Sequence, residues 1–161
     1  MTEQNIPKIG ESALNFCLPN EDGNEVCLDK YKGKWVVLYF YMKDNSKSCT
    51  IQAVDFSANF NEFTEMDAQI IGISPDSSKS HKNFIGKNYL KIELLSDPEN
   101  TVAKNYGLWQ TKKMYGKEYM GVIRSTFIID PKGIIKAVWA NVKVNGHAEE
   151  VRDKLKELKN N

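Results

Sequence analysis

Seven consecutive apolar residues, Trp35-Val36-Val37-Leu38-Tyr39-Phe40-Tyr41, restrict what this chain can fold into more than any other feature. A β-branched and aromatic run without polar alternation describes a strand covered on both faces, as in the interior of a sheet flanked by other layers. The sequence then turns largely polar, from Met42 to Lys47, with residue types that cap helices. Between Ser48 and Met66, the residues Cys49, Ala53, Phe56, Phe60 and Phe63 recur at spacings of four, three, four and three, which is one buried face of a helix. A second apolar run, Ala68 to Ser74, carries Ile70, Ile71 and Ile73 and is closed by Pro75. Strand, helix and strand in this order form the unit from which parallel sheets are built.

The remaining segments extend this unit at both ends. Ala13 to Leu28 reads as a hairpin around the turn residues Asn20 to Asn24, which sets Cys17 opposite Cys27. Asp76 to Tyr89 is predicted as a helix capped by Asp76 or Ser77, Ile92 to Leu95 as a short strand, and Glu99 to Tyr106 as a helix stopped by Gly107. Ser125–Ile129 and Ile134–Trp139 flank Asp130-Pro131-Lys132-Gly133 as an antiparallel hairpin. The last helix carries Ala148, Val151, Leu155 and Leu158 on one stripe. This order predicts an α/β protein of thioredoxin-like fold. It has a central mixed sheet, helices on both faces, an N-terminal hairpin extension and one inserted strand and helix. With 161 residues and no repeat or linker, residues 1–161 are read as one domain.

Charge and composition narrow the function classes. Lys and Arg total 22 against 21 acids, a net charge of +1, so there is no electrostatic footprint for nucleic acid or an anionic membrane surface. No run approaches the roughly 20 apolar residues that span a bilayer. Met1 to Gly10 is polar and lacks the apolar core of a signal peptide, so a cytoplasmic product is expected. The three cysteines include no Cys-x-x-Cys pair, and His81 and His147 are the only histidines. Neither a secreted disulfide framework nor a metal site is expected from such spacing. Both histidines are read as surface residues.

Chemistry centres on Cys49. In the layout above it falls in the first turn of the helix after the first central strand, at the carboxyl end of the sheet, where open α/β folds place their sites. Free N–H groups and the positive end of the helix dipole favour a thiolate there, and Lys43 and Lys47 are expected to add cationic field. The competing interpretation is that Cys49 is a small buried hydrophobe on the apolar stripe. Ser46 stands three residues earlier, either as a helix cap or as a hydroxyl serving the thiolate. Ser-x-x-Cys in place of Cys-x-x-Cys disfavours a disulfide reductase, because a lone thiol cannot run a local dithiol cycle. Arg occurs only at 124 and 152, against 20 Lys, so Arg124 at a strand start is either a required planar fork or a flanking surface cation. Arg152 is read as exposed.

The segment Val36-Val37-Leu38-Tyr39-Phe40-Tyr41-Met42-Lys43-Asp44-Asn45-Ser46-Lys47-Ser48-Cys49-Thr50 resembles the active-site segment of the peroxiredoxins, most closely their bacterioferritin comigratory protein branch. Further collinear matches are Gly72-Ile73-Ser74-Pro75-Asp76-Ser77, Leu95-Ser96-Asp97-Pro98, Lys112 to Lys117, Gly121 to Phe127 and Val144 to Glu150. The resemblance runs from about Gly10 to the last helix. It implies that Cys49 is a peroxidatic cysteine that becomes a sulfenic acid, with Ser46 and Arg124 as catalytic partners. It implies substrate contacts from Ser48, Met42 and Gln52, and backbone N–H groups around Ser48 and Cys49 that stabilise the departing oxygen. The expected partners are hydrogen peroxide or small organic hydroperoxides, with thioredoxin, glutaredoxin or a low-molecular-weight thiol as reductant. No cofactor is implied, and the protein is expected to be a monomer or weak homodimer.

The chain departs from the branch at several positions. The family usually has Pro at Met42, Thr at Ser46 and Pro-Gly at Lys47-Ser48, and often Glu at Gln52. A resolving cysteine common five residues after the peroxidatic one is replaced by Val54, so a one-cysteine mechanism is expected. The alternatives are a redox sensor or binding module with an altered loop, a thioredoxin-like reductase, and, weakest, a cysteine hydrolase.

Overall fold

The computed structural model describes residues 5–161, so the first four residues of the 1–161 span and of its polar N-terminal segment lie outside the description. The chain runs through β1 (Cys17–Pro19), β2 (Glu25–Cys27) and a single 3-10 turn, then β3 (Trp35–Phe40), α1 (Lys47–Ala58), α2 (Phe60–Glu65) and β4 (Ala68–Ser74). There follow α3 (Ser78–Asn88), β5 (Glu93–Ser96), α4 (Thr101–Asn105), β6 (Trp109–Met114), β7 (Lys117–Val122), β8 (Ser125–Ile129), β9 (Ile135–Ala140) and α5 (His147–Lys159).

Five strands form one sheet in the order β5-β4-β3-β8-β9. β3 runs parallel to β4 and β4 parallel to β5, whereas β8 is antiparallel to both β3 and β9. The central position of β3 accounts for its uninterrupted apolar sequence. Val36, Leu38 and Phe40 join a core with Phe16, Val26, Tyr106 and Phe127 on one face. Val37 and Tyr39, with Tyr41 just beyond the strand, join Cys49, Phe56, Phe63, Phe84 and Val151 on the other. The first face is covered by the β1–β2 hairpin and α4, the second by α1, α2, α3 and α5. This is the expected mixed sheet with helices on both sides.

Three local readings differ from the expectation. The predicted helix from Ser48 to Met66 is two helices, broken at Asn59. The Asn59 side chain donates to the Asp55 carbonyl at 2.8 Å and accepts from Arg152 at 2.9 Å, so the chain is held at the break and Phe60 is only half-buried. Arg152 is accordingly only 22% exposed at its side chain rather than free in solvent. An additional ribbon, β6–β7, stands between α4 and β8. It turns at Tyr115 and Gly116, both with positive φ (53° and 76°), the conformation that joins tightly paired strands. Its apolar residues are sparse and mostly exposed, which is why hydrophobic patterning does not announce it.

Cys17 and Cys27 pair directly across β1 and β2 and form a disulfide, with Cα atoms 4.0 Å apart.

Candidate active site

β3 ends at Phe40, and the Met42–Lys47 loop returns the chain to α1, whose N-cap is Ser46. Cys49 is therefore the third residue of α1, in its first turn, and it is 1% exposed. Register brings a cation to it from far along the chain. Phe40 pairs with Ser125 across the antiparallel β3–β8 ladder, so Arg124 emerges beside the loop that follows β3.

Three of the five guanidinium N–H donors are engaged there. Arg124 Nη2 donates to Cys49 Sγ at 3.2 Å and to Ser48 Oγ at 2.9 Å, and Nη1 donates to Gln52 Oε1 at 2.5 Å. Ser48 and Gln52 are one helical turn apart, so their acceptors line up beneath a single planar fork. Gln52 is 2% exposed, and its Nε2 has no hydrogen-bond partner among the described residues. Ser46 caps the helix by position only. Its carbonyl accepts from the Thr50 amide and hydroxyl, and its own hydroxyl donates to the Lys43 carbonyl at 3.1 Å. Met42 is half-buried and packs against the helix-side core.

Burial pushes the Cys49 thiol up. The Ser46 hydroxyl, the Arg124 guanidinium and the backbone N–H groups of Lys43 and Met42 outweigh it and hold the thiol below its ordinary value. The Ser46 hydroxyl has one hydrogen to share between the Lys43 carbonyl and a thiolate, and rotation about Cβ–Oγ chooses between them. The amide at Met42 is a donor that the family's usual proline lacks. The side chains of Lys43 and Lys47 are exposed, so the expected lysine field is replaced by Arg124 and by the backbone of Lys43. Lys112 on β6 lies within the same field. Burial and the Arg124 charge hold its amine below the ordinary lysine range, and Nζ donates to the Val122 carbonyl at 3.0 Å.

All six residues singled out from the sequence thus lie at one end of the sheet, and four of them form one hydrogen-bonded group around Arg124. The two histidines are not surface residues. His81 is 0% exposed and His147 is 3% exposed. His81 sits three residues before the buried Phe84 on α3, a spacing that places both on the inner face of that helix. Asp44, also buried, was hidden in the polar loop, where nothing in the local pattern separates it from exposed Lys43 and Asn45.

Comparison with known proteins identifies the family of the chain. The AhpC/TSA family model matches residues 9–138. Peroxiredoxin Bcp of Bacillus subtilis is 44% identical over 151 residues, covering 94% of this chain and 96% of the relative. A structure of the Xanthomonas campestris bacterioferritin comigratory protein, described for its alkyl peroxide reduction activity, superposes with a TM-score of 0.84 at 38% identity. That match covers 88% of this chain and 90% of the other. A mutant of Xylella fastidiosa PrxQ superposes at 0.89 with 36% identity, covering 94% and 97%. The chain belongs to the AhpC/TSA family, and within it to the thioredoxin-fold peroxiredoxins of the Bcp and PrxQ type, which are thiol peroxidases.

Proposed function

We propose that Cys49 is the peroxidatic sulfur, that Arg124 and Ser46 activate it, and that Ser48, Gln52 and Met42 shape the seat of the hydroperoxide. The observation that carries this reading is the 3.2 Å approach of Arg124 Nη2 to Cys49 Sγ at a helix N-terminus, together with a thiol held below its ordinary value.

The Cys49 thiolate attacks one oxygen of the hydroperoxide. An S–O bond forms as the O–O bond breaks, leaving Cys49 as a sulfenic acid and releasing hydroxide or alkoxide, which takes a proton from solvent. Arg124 holds negative charge on sulfur before the step and on oxygen during it, in a site where water screens little. A thiol then attacks the sulfenic sulfur and expels water. A second thiol releases Cys49 from the mixed disulfide. Hydrogen peroxide and small organic hydroperoxides are the substrates. The alkyl peroxide chemistry described for the Xanthomonas relative supports the second class. Thioredoxin, glutaredoxin or a low-molecular-weight thiol supplies the electrons, in the cytoplasm and to a monomer or weak homodimer.

The mechanism uses one cysteine. Cys17 and Cys27 are tied to each other, and the residues around them pack against the sheet face opposite the one that holds Cys49. The test is hydrogen peroxide consumption with dithiothreitol, comparing wild type with Cys49→Ser. Turnover lost in the variant is the expected result. A folded wild type that leaves peroxide untouched overturns the reading in favour of a redox sensor.

A further inference from the structure

The Cys49 site rests on a loop, and that loop is held by a buried polar cluster that the peroxidase chemistry does not use. Asp44 is 3% exposed, two residues before Ser46 and five before Cys49, and is flanked by exposed Lys43 and Asn45. Asn45 takes a positive φ of 68°, so the chain reverses sharply next to it. Every polar group of Asp44 that points inward is engaged. Its Oδ1 accepts from Tyr41 Oη at 2.5 Å, and its Oδ2 accepts from Ser80 Oγ at 2.8 Å and faces His81 Nδ1 at 2.8 Å. Its backbone N–H donates to Asp76 Oδ2 at 2.8 Å, and that carboxylate also accepts from Ser74 Oγ at 2.6 Å.

His81 passes the restraint on to the sheet. Its Nε2 faces the Leu95 carbonyl at 3.0 Å, and a carbonyl only accepts, so Nε2 carries a hydrogen. One further hydrogen must lie between Nδ1 and Asp44 Oδ2 for that contact to be favourable. The loop is thereby tied through one ring to β5 and through Asp76 to the end of β4. Tyr41 stays protonated as a donor, because burial and the neighbouring Tyr39 and Asp44 push its hydroxyl well up.

We propose that Asp44 and His81 are positioning residues for the peroxidase reaction, a buried clamp that fixes the Met42–Lys47 loop so that its backbone donors face Cys49. The proposal rests on Cys49 being the reacting sulfur. The amides concerned, those of Met42 and Lys43, immediately precede Asp44 in the chain and are two of the groups that favour the thiolate. Release of Asp44 frees them to turn toward water, and the thiol loses donors that no other residue replaces. An unanchored loop would still fold over the sheet, because its flanks, β3 and α1, are held by the core.

The discriminating measurement is the pH dependence of Cys49 alkylation by iodoacetamide, which reads the thiolate without any peroxide. It is paired with the bimolecular rate of the first peroxide turnover. Asp44→Ala and His81→Ala are expected to move the Cys49 titration upward and slow the peroxide reaction by about tenfold. The double variant should be no slower than either single one, since both cut the same tie. Asp44→Asn is the conservative rescue. Its amide supplies the hydrogen to Nδ1 and a second to Ser80, while its carbonyl still accepts from Tyr41, so the rate should stay within about threefold of wild type.

Folded alanine variants with an unchanged Cys49 titration overturn the clamp, as does an Asp44→Asn enzyme as slow as Asp44→Ala. Where the alanine variants do not fold, Tyr41→Phe decides, because it removes one bond to Asp44 and opens no large cavity. A slowing of about threefold or more supports the clamp, and a wild-type rate overturns it. Failure of the underlying peroxidase reading looks different, since a wild type without peroxide turnover still yields a Cys49 alkylation curve.

Discussion

Arg124 offers several donors in one plane, and the residues beneath it decide how much of its charge the thiol feels. Ser48 and Gln52 are neutral acceptors, so they orient the fork without cancelling it. Gln52→Glu would place a carboxylate against Nη1 and neutralise the guanidinium locally. The Cys49 titration should then move upward and the first-turnover rate at pH 6 should fall by about tenfold, read by stopped-flow fluorescence. The residues of this group were legible in the sequence for different reasons. Cys49 and Ser46 follow from the strand-loop-helix pattern, and Arg124 from being one of only two arginines among the 22 basic residues. Its proximity to Cys49 was not legible from spacing, because it depends on the Phe40–Ser125 register across a ladder closed between segments far apart in sequence. Asp44 and His81 escaped for a related reason. A buried polar pair has no periodic signature, and only tertiary contacts distinguish it from solvated residues of the same type.

Among the elements, α5 shows how a buried histidine can set a pH response. His147 begins the helix, with Nε2 facing Thr126 Oγ1 at 2.8 Å and Nδ1 facing Glu150 Oε1 at 3.0 Å, and it packs edge-on against Phe56 and Trp139. Burial holds it below its ordinary value despite the opposing pull of Glu150. A histidine whose value falls on folding binds fewer protons in the native state than in the unfolded one. The stability it contributes is therefore complete above the unfolded value of about 6.5 and is lost as pH falls through that value toward the native one. Urea unfolding at a series of pH values should show this loss, and His147→Gln should flatten it. Other elements show where pattern reading succeeds and fails. The bounds of β4 are legible because Pro75 ends the apolar run. The α1–α2 break is not legible because the apolar spacing continues across Asn59, while the break itself is held by hydrogen bonds that the Asn59 side chain donates to the Asp55 carbonyl and accepts from Arg152. The β6–β7 ribbon is not legible because it buries little and so needs no alternating pattern.

At the scale of the whole molecule the five-stranded sheet is a partition. Cys49 belongs to the core on one face, and the hairpin closed by Cys17 and Cys27 packs on the other. Cys17→Ser should therefore leave dithiothreitol-driven peroxide consumption at the wild-type rate. Under non-reducing conditions it should lower stability by about 2–3 kcal/mol, the chain-entropy value for a ring closed across a separation of 10 residues. Calorimetry with and without reductant separates this effect from catalysis. A peptide map of oxidised protein that links Cys49 to either hairpin cysteine would contradict the one-cysteine mechanism.

The partition also makes the protein a two-digit redox record. On the function proposed above, one digit is written by peroxide at Cys49, and the other by the thiol–disulfide balance of the surroundings at the hairpin, where Cys17 is exposed. Because neither sulfur group touches the other, the digits can be set in any of four combinations. A bulk count of free thiols adds them together and loses the message. Position-resolved labelling would recover both, because the Cys17–Cys27 disulfide and the free Cys49 are separate groups.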